Sequence, residues 1–168
     1  MALNAYLKLK GAKQGDIKGG VTQKGREGTI EIHSFSHEIV SPRDSASGLP
    51  TGRRQHKPFT ITKEIDKSTP LLHKALTDNE TLTSFELRCF APKAGPGGGG
   101  AGQEVNNFTI TLTNASISDI VDIMENNLDL ENAKLPLLEE VSFTYQKIEW
   151  TWVDGGITSS DDWEARQD

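Results

Sequence analysis

Thiols are nearly missing from this chain. Cys89 is the one cysteine in 168 residues, so no disulfide can close within a subunit. It shares the parity of Phe85 and Leu87 in the run FELRCF, which points to a small buried hydrophobe. No base stands near it in the sequence to make it a nucleophile. Long apolar runs are missing too, and no segment approaches the length of a membrane span. The opening stretch MALNAYLKLKGAK alternates apolar and polar residues where a signal peptide needs a continuous apolar core. The expectation is a chain made as a soluble cytoplasmic protein that inserts in no membrane and, if it leaves the cell, does so without a cleaved signal. Positive charge is in deficit: 18 Lys and Arg against 24 Asp and Glu give a net charge of −6. That balance argues against a general nucleic-acid binder, whose phosphate contacts need a basic surface.

Recognisable sites for chemistry are absent as well. GPGGGGAG invites a phosphate-loop reading, but it leads to Gln103-Glu104 and a strand, without the Gly-Lys-Ser or Gly-Lys-Thr that opens a helix. His33 and His37 lie on a strand-like run, which would hold them about 13 Å apart, too far to share a metal. His56 and His73 add no ligand spacing, so neither metal nor cofactor is expected. Asn107-Phe108-Thr109 and Asn114-Ala115-Ser116 match the glycosylation pattern, which means little without a secretory signal. The pairs Glu139-Glu140 and Asp161-Asp162 read as solvated surface. No Ser-His-Asp or Cys-His set can be assembled, and an enzyme is not expected.

What is present is period two, the strand signal. Leu7 and Leu9, then Phe59 and Ile61, then Phe85 and Leu87, then Phe108, Ile110 and Leu112 each mark one face of a strand. The run TIEIHSFSHEIV changes parity midway: Ile30 and Ile32 lie on one face, Phe35 and Ile39 on the other. Such a swap calls for a bulge or a change of burial along the strand. EEVSFTYQKIEWTW, read as one last strand, carries Val141, Phe143 and Tyr145 on one parity and Ile148, Trp150 and Trp152 on the other. One set would fill the core and the other would cover a partner. One helix is expected, with Thr69 as N-cap, Pro70 in the first turn and Leu71, Leu72, Ala75 and Leu76 on its inner face. The sum is a mainly β, antiparallel barrel or barrel-like sandwich with one short flanking α-helix, since closure removes sheet edges. A single domain over 1–153 is expected, with a short, frayed acidic tail over 154–168. The glycine tract from Gly95 to Gly102 reads as a flexible hairpin tip.

Against this acidic background, Arg53, Arg54, His56 and Lys57 crowd into a long polar loop, Ser41 to Lys57. Loops of that length inside a compact domain usually have a function. In an acidic chain the nearest acidic surface is another copy of itself, so a basic loop suits head-to-tail stacking.

The same stretch, GRRQHKPFTITKEIDKSTPLL, resembles the signature of the haemolysin-coregulated protein (Hcp) family, the tube protein of bacterial type VI secretion systems. Lys63, Asp66, Lys67, Ser68, Thr69 and Pro70 are its most specific part. YLKLKGAKQGDIKGG followed by GTIEIHSFSHE is similar to the family's opening strands, and EEVSFTYQKIEWTW to its closing strand. The resemblance implies a β-barrel akin to phage tail-tube proteins, closing into hexameric rings that stack as a hollow, secreted tube. It implies sheath, spike and baseplate proteins as partners and small effector proteins as cargo. On that reading Arg53, Arg54, Lys57, Trp150 and Trp152 serve subunit or ring-stacking contacts. Ser34, Ser36 and Glu38 are lumen-facing candidates, with Ser36 where the family has a small polar residue. With the last strand close to the chain's end, no fused toxin domain is expected. The competing reading is a small β-barrel binding or adaptor module acting outside a tube.

Overall fold

The computed structural model describes residues 3–93 and 103–163. The expected glycine-rich tip, Gly95 to Gly102, lies outside the described residues. The chain forms β1 (Asn4–Gly11), β2 (Gly15–Ile17), β3 (Ile30–Ile32), β4 (Ser34–Ser36), β5 (Ile39–Val40), β6 (Gln55–His56) and β7 (Phe59–Glu64). After α1 (Thr69–Thr77) come β8 (Leu82–Pro92), β9 (Glu104–Thr113), β10 (Ser116–Ile123), β11 (Leu138–Thr144), β12 (Lys147–Trp152) and β13 (Ile157–Asp162). The mainly β, antiparallel, single-helix expectation is met. The large sheet runs β13-β12-β9-β8-β1, with β2 and β3 sharing the far edge of β1. The small sheet runs β10-β11-β7-β4, and β5 and β6 form a separate two-stranded arm.

The two sheets enclose one core. Leu7, Leu87, Ile110 and Ile148 from the large sheet meet Phe59, Ile61, Val141 and Phe143 from the small one. The Phe85 ring stands edge-on to Phe59 and Phe143, at 5.6 and 4.9 Å between centroids. The chain passes between the sheets at three corners, which gives the enclosure its barrel-like form. One is His33, whose N–H donates to the Thr62 carbonyl at 2.9 Å as β3 ends and β4 begins. A second is Asn114, at φ +50°, between β9 and β10. The third is Tyr145-Gln146, between β11 and β12.

These corners explain both parity changes. At His33 and at Tyr145-Gln146 the inward parity changes with the wall: Ile30 and Ile32 precede the first corner and Phe35, paired with Ile61, follows it, while Val141, Phe143 and Tyr145 precede the second and Ile148 follows it. EEVSFTYQKIEWTW is therefore two strands in two sheets, and the inference of a second, partner-covering face is corrected. Val141, Phe143, Tyr145 and Ile148 all enter the same core. Trp150 is half-buried against it, and Trp152 alone of that set is exposed.

Two further expectations are corrected. The acidic tail does not fray over its first part. It turns at Gly155 and Gly156, both in the left-handed region at φ +80° and +64°, and returns as β13, paired along β12 from Lys147↔Asp162 to Trp152↔Ile157. Positive φ at these two positions closes the four-residue loop between Trp152 and Ile157, and glycine adopts it at little steric cost. The helix N-cap is Ser68 rather than Thr69. The Thr69 hydroxyl is engaged elsewhere: it accepts from the Asp66 N–H at 3.1 Å and donates to Glu139 Oε1 at 2.7 Å. Leu72 and Ala75 bury the inner face of α1.

Candidate functional site

The Ser41–Lys57 loop is mostly the outer part of the β5–β6 arm. Its tip is a tight turn in which Asp44 accepts from the Ser47 N–H and hydroxyl, at 2.8 and 2.6 Å. Lower down, the Lys57 N–H donates to the Glu38 carbonyl at 3.0 Å. Leu49 at the tip is exposed. The arm is therefore a defined projection rather than a loose connector.

Its base is tied to the body by a chain of polar contacts. His37 Nε2 lies 2.6 Å from the Tyr145 hydroxyl, and His56 Nδ1 lies 2.8 Å from the same oxygen. His56 Nε2 is 2.7 Å from Asp161 Oδ2, and Arg54 donates to both Asp161 oxygens, at 2.5 and 2.7 Å. With both histidines neutral, one proton pattern satisfies the whole chain. His37 donates to Tyr145, Tyr145 donates to His56 Nδ1, and His56 Nε2–H donates to Asp161. Burial pushes the Tyr145 phenol up, with the Asp161 charge adding to it, so the phenol keeps its proton. Burial also lowers His37, and the neighbouring His56 adds to the effect. Asp161 is held below the usual carboxylate range, first by the Arg54 hydrogen bond.

This network divides the basic cluster. Arg54 is turned inward and neutralised within the subunit, where the sequence had it facing a neighbour. Arg53 and Lys57 are exposed, and neither side chain makes an ion pair among the described residues. No local pattern marks Asp161 or Tyr145, because their partners lie 89 to 108 residues away.

A second buried network underlies the signature stretch. The side chains of Lys63 and Glu139, on paired strands β7 and β11, are shut away from solvent and form an ion pair. Lys63 Nζ also donates to Asp66 Oδ1 at 3.0 Å and to the Glu64 carbonyl at 2.7 Å. Asp66 in turn accepts from the Ser68 N–H and hydroxyl. Glu139, expected on a solvated surface, is thus a core residue. Sequence spacing gave no metal site, yet among the described residues the fold brings together one group that could hold an ion: His73, Asp122 and Glu139.

Ser34 and Ser36 are exposed on the outer face of the small sheet, opposite Thr62 and Thr60. Ser142 continues that row, with its Oγ 2.9 Å from that of Thr60. Glu38 is exposed at the foot of the arm. Cys89 is half-buried rather than fully buried, and the β8–β9 register slips between Cys89 and Phe90. Burial raises its thiol above the ordinary value, which favours the protonated form.

Comparison with known proteins gives a consistent result. The family model described as "Type VI secretion system effector, Hcp" matches residues 6–152. The "Major exported protein" of Pseudomonas aeruginosa is 42% identical, with 98% of each chain covered. The solved Hcp1 protein from E. coli EAEC 042 is 39% identical with a TM-score of 0.82, over 96% of this chain and 99% of that one. The secreted protein Hcp3 from Pseudomonas aeruginosa is 35% identical with a TM-score of 0.77, over 98% and 100%.

Proposed function

The chain belongs to the Hcp family of type VI secretion proteins, and from that premise we propose that it is a tube subunit, six copies closing a ring and rings stacking into a hollow, secreted tube. The family is structural and secreted rather than enzymatic. One observation carries the ring. Among the described residues, two dissimilar apolar patches stand out, one on each of the two larger sheets. The first, at the turn of the β12–β13 hairpin in the large sheet, comprises Trp152, Val153 and Ile157. The second is the β10–β11 connection, where Leu128 and Leu130 are 88% and 91% exposed. Contiguous exposed apolar surface marks an interaction site. Two unlike patches on one subunit suit a heterologous contact, which closes into a ring when the rotation per subunit divides the circle. Strand β13 also leaves an open sheet edge beside the first patch, and an open edge invites pairing.

Trp152 and Trp150 separate assembly from folding. Trp152 is 47% exposed, so Trp152→Glu should leave the subunit's melting curve close to wild type while converting ring-sized particles to monomers. Trp150 packs against the core, so Trp150→Glu should lower the melting temperature instead. Light scattering that finds a ring-sized Trp152→Glu particle would remove this patch from the interface. A monomeric wild-type chain would favour the adaptor reading.

The lumen is assigned to the outer face of the small sheet. Ser34, Ser36, Thr60, Thr62 and Ser142 line it with short hydroxyls, and Glu38 stands at its margin. Such a wall offers many weak contacts and no deep pocket, which suits small effector proteins that must be released again. Ser36→Gln should keep the ring intact and reduce the amount of effector recovered with it. Undiminished recovery would take Ser36 off the cargo surface. Sheath, spike and baseplate proteins are the further partners of this role, and co-purification with the assembled machine tests them.

A further inference from the structure

Three strands of the small sheet carry a row of charges beneath α1. Glu139 on β11 is paired across the ladder with Lys63 on β7 and, on its other side, with Asp122 on β10. Side chains of directly paired residues share a face, so all three point toward the helix. Asp66 reaches Lys63 from the loop before α1. His73 on α1 completes the set, with its Nε2 3.0 Å from Asp122 Oδ2. One lysine therefore stands among three carboxylates.

Glu139 is the informative member. Its Oε1 accepts from both Lys63 Nζ and Thr69 Oγ1. Its Oε2 is buried with no hydrogen-bond partner among the described residues, on a side chain with no exposed surface. A buried carboxylate oxygen left unpaired is costly, and such an atom calls for an explanation. One ligand atom from each of His73, Asp122 and Glu139 lies within 4.8 Å of the others.

We propose that His73, Asp122 and Glu139 form a binding site for a divalent transition-metal ion of the zinc class. The donor set is one imidazole nitrogen and two carboxylate oxygens, which suits zinc and its neighbours. Magnesium and calcium prefer oxygen ligands alone. Lys63 and Thr69 hold Glu139 through Oε1 and leave Oε2 to face the ion, the outer-shell support that metal carboxylates commonly have. His73 and Asp122 are both about two-fifths exposed, so they can close on an ion and leave its remaining positions to water. An ion here ties α1 to β10 and β11, across the signature stretch.

The test uses the full-length, untagged protein in its native assembly, titrated with zinc chloride by calorimetry and melted with zinc or with EDTA. The expected result is one zinc per chain and a rise in Tm of about 5 °C when zinc is in large excess over its dissociation constant. His73→Ala and Asp122→Asn change partly exposed groups and should fold. Each should weaken zinc binding roughly tenfold or more and remove the rise in Tm. Magnesium chloride should produce no comparable rise. No binding at millimolar zinc would overturn the proposal. So would binding that both variants leave unchanged, which would place the ion at other histidines, or an equal response to magnesium. A His73 that only hydrogen-bonds Asp122 would show no zinc response, which also overturns it.

Discussion

Lys63→Ala is expected to lower the melting temperature of the subunit by about 10 °C, or to prevent folding outright. Lys63 and Glu139 lie fully inside the protein and form a direct ion pair. Removing the ammonium leaves Glu139 as an uncompensated buried charge, which costs about 3–5 kcal/mol. A protein of this size loses about 2–4 °C of Tm per kcal/mol, which gives the stated drop. The lysine also supports Asp66 at 3.0 Å, so the turn before α1 loses a contact too. Asp66 is raised by burial, but the hydrogen bonds from Ser68 and Lys63 outweigh this and leave it below its ordinary value of 3.8. A depressed carboxyl contributes stability that is present above that ordinary value and lost as pH falls through the folded one. In Lys63→Ala that acid sensitivity should shrink together with the overall stability. The double variant Lys63→Met, Glu139→Leu replaces the pair with apolar groups of similar bulk and should recover most of the loss, because the desolvation penalty goes with the charges. Circular dichroism melts of the three proteins measure this. A Lys63→Ala protein that melts like wild type would sink the account, as would a double variant no more stable than the single. The consequence for function is that the most specific residues of the signature, Lys63, Asp66, Ser68 and Thr69, hold the fold together and position α1.

What the sequence made legible follows from what period two can report. It shows which residues of a strand face inward but says nothing of which sheet the strand belongs to. The parity change after Ile32 and the one after Tyr145 were both visible, and both mark a corner where the chain passes between walls. Read without the corner, the second became a two-faced strand, and Trp150 and Trp152 were assigned to one surface although one packs on the core and the other is exposed. The helix was placed by its apolar spacing. Its cap was misplaced by one residue because the Thr69 hydroxyl bonds Glu139, 70 positions away. The tail's charge suggested fraying, whereas its backbone pairs with β12 and Asp161 is held by Arg54 and His56. The grouping of His73, Asp122 and Glu139 has no local signature at all, since it joins a helix to two strands.

Arg53 and Arg54 should therefore behave differently although they are adjacent. Reversing Arg53 and Lys57 to glutamate is expected to leave the melting curve nearly unchanged, because both are exposed and unpaired among the described residues. Their charge is free to meet an acidic face on a neighbouring copy of a chain whose net charge is −6. Exposed ion pairs are worth at most about 1 kcal/mol each and are screened by salt. A ring repeats each contact around its axis, so two such pairs per subunit add up to a useful stacking free energy while each remains easily broken. That combination suits a tube that must hold together during delivery and come apart afterwards. The Arg53→Glu, Lys57→Glu protein should thus form rings, fail to stack them and be secreted at roughly a tenth of the normal level or less, a loss that needs only about 1.4 kcal/mol. High salt should reproduce the stacking defect with the wild-type protein. Arg54→Glu predicts another pattern. It sets a carboxylate against Asp161, removes three hydrogen bonds, of 2.5 and 2.7 Å to Asp161 and 3.0 Å to the Asp162 carbonyl, and loosens both the arm and β13. Its melting temperature should fall along with its secretion. Secretion of each variant, measured beside its melting curve, separates the two cases. Normal secretion of the Arg53→Glu, Lys57→Glu protein would leave those residues as a solvated turn and restrict the arm's role to the contacts that Arg54 makes inside the subunit.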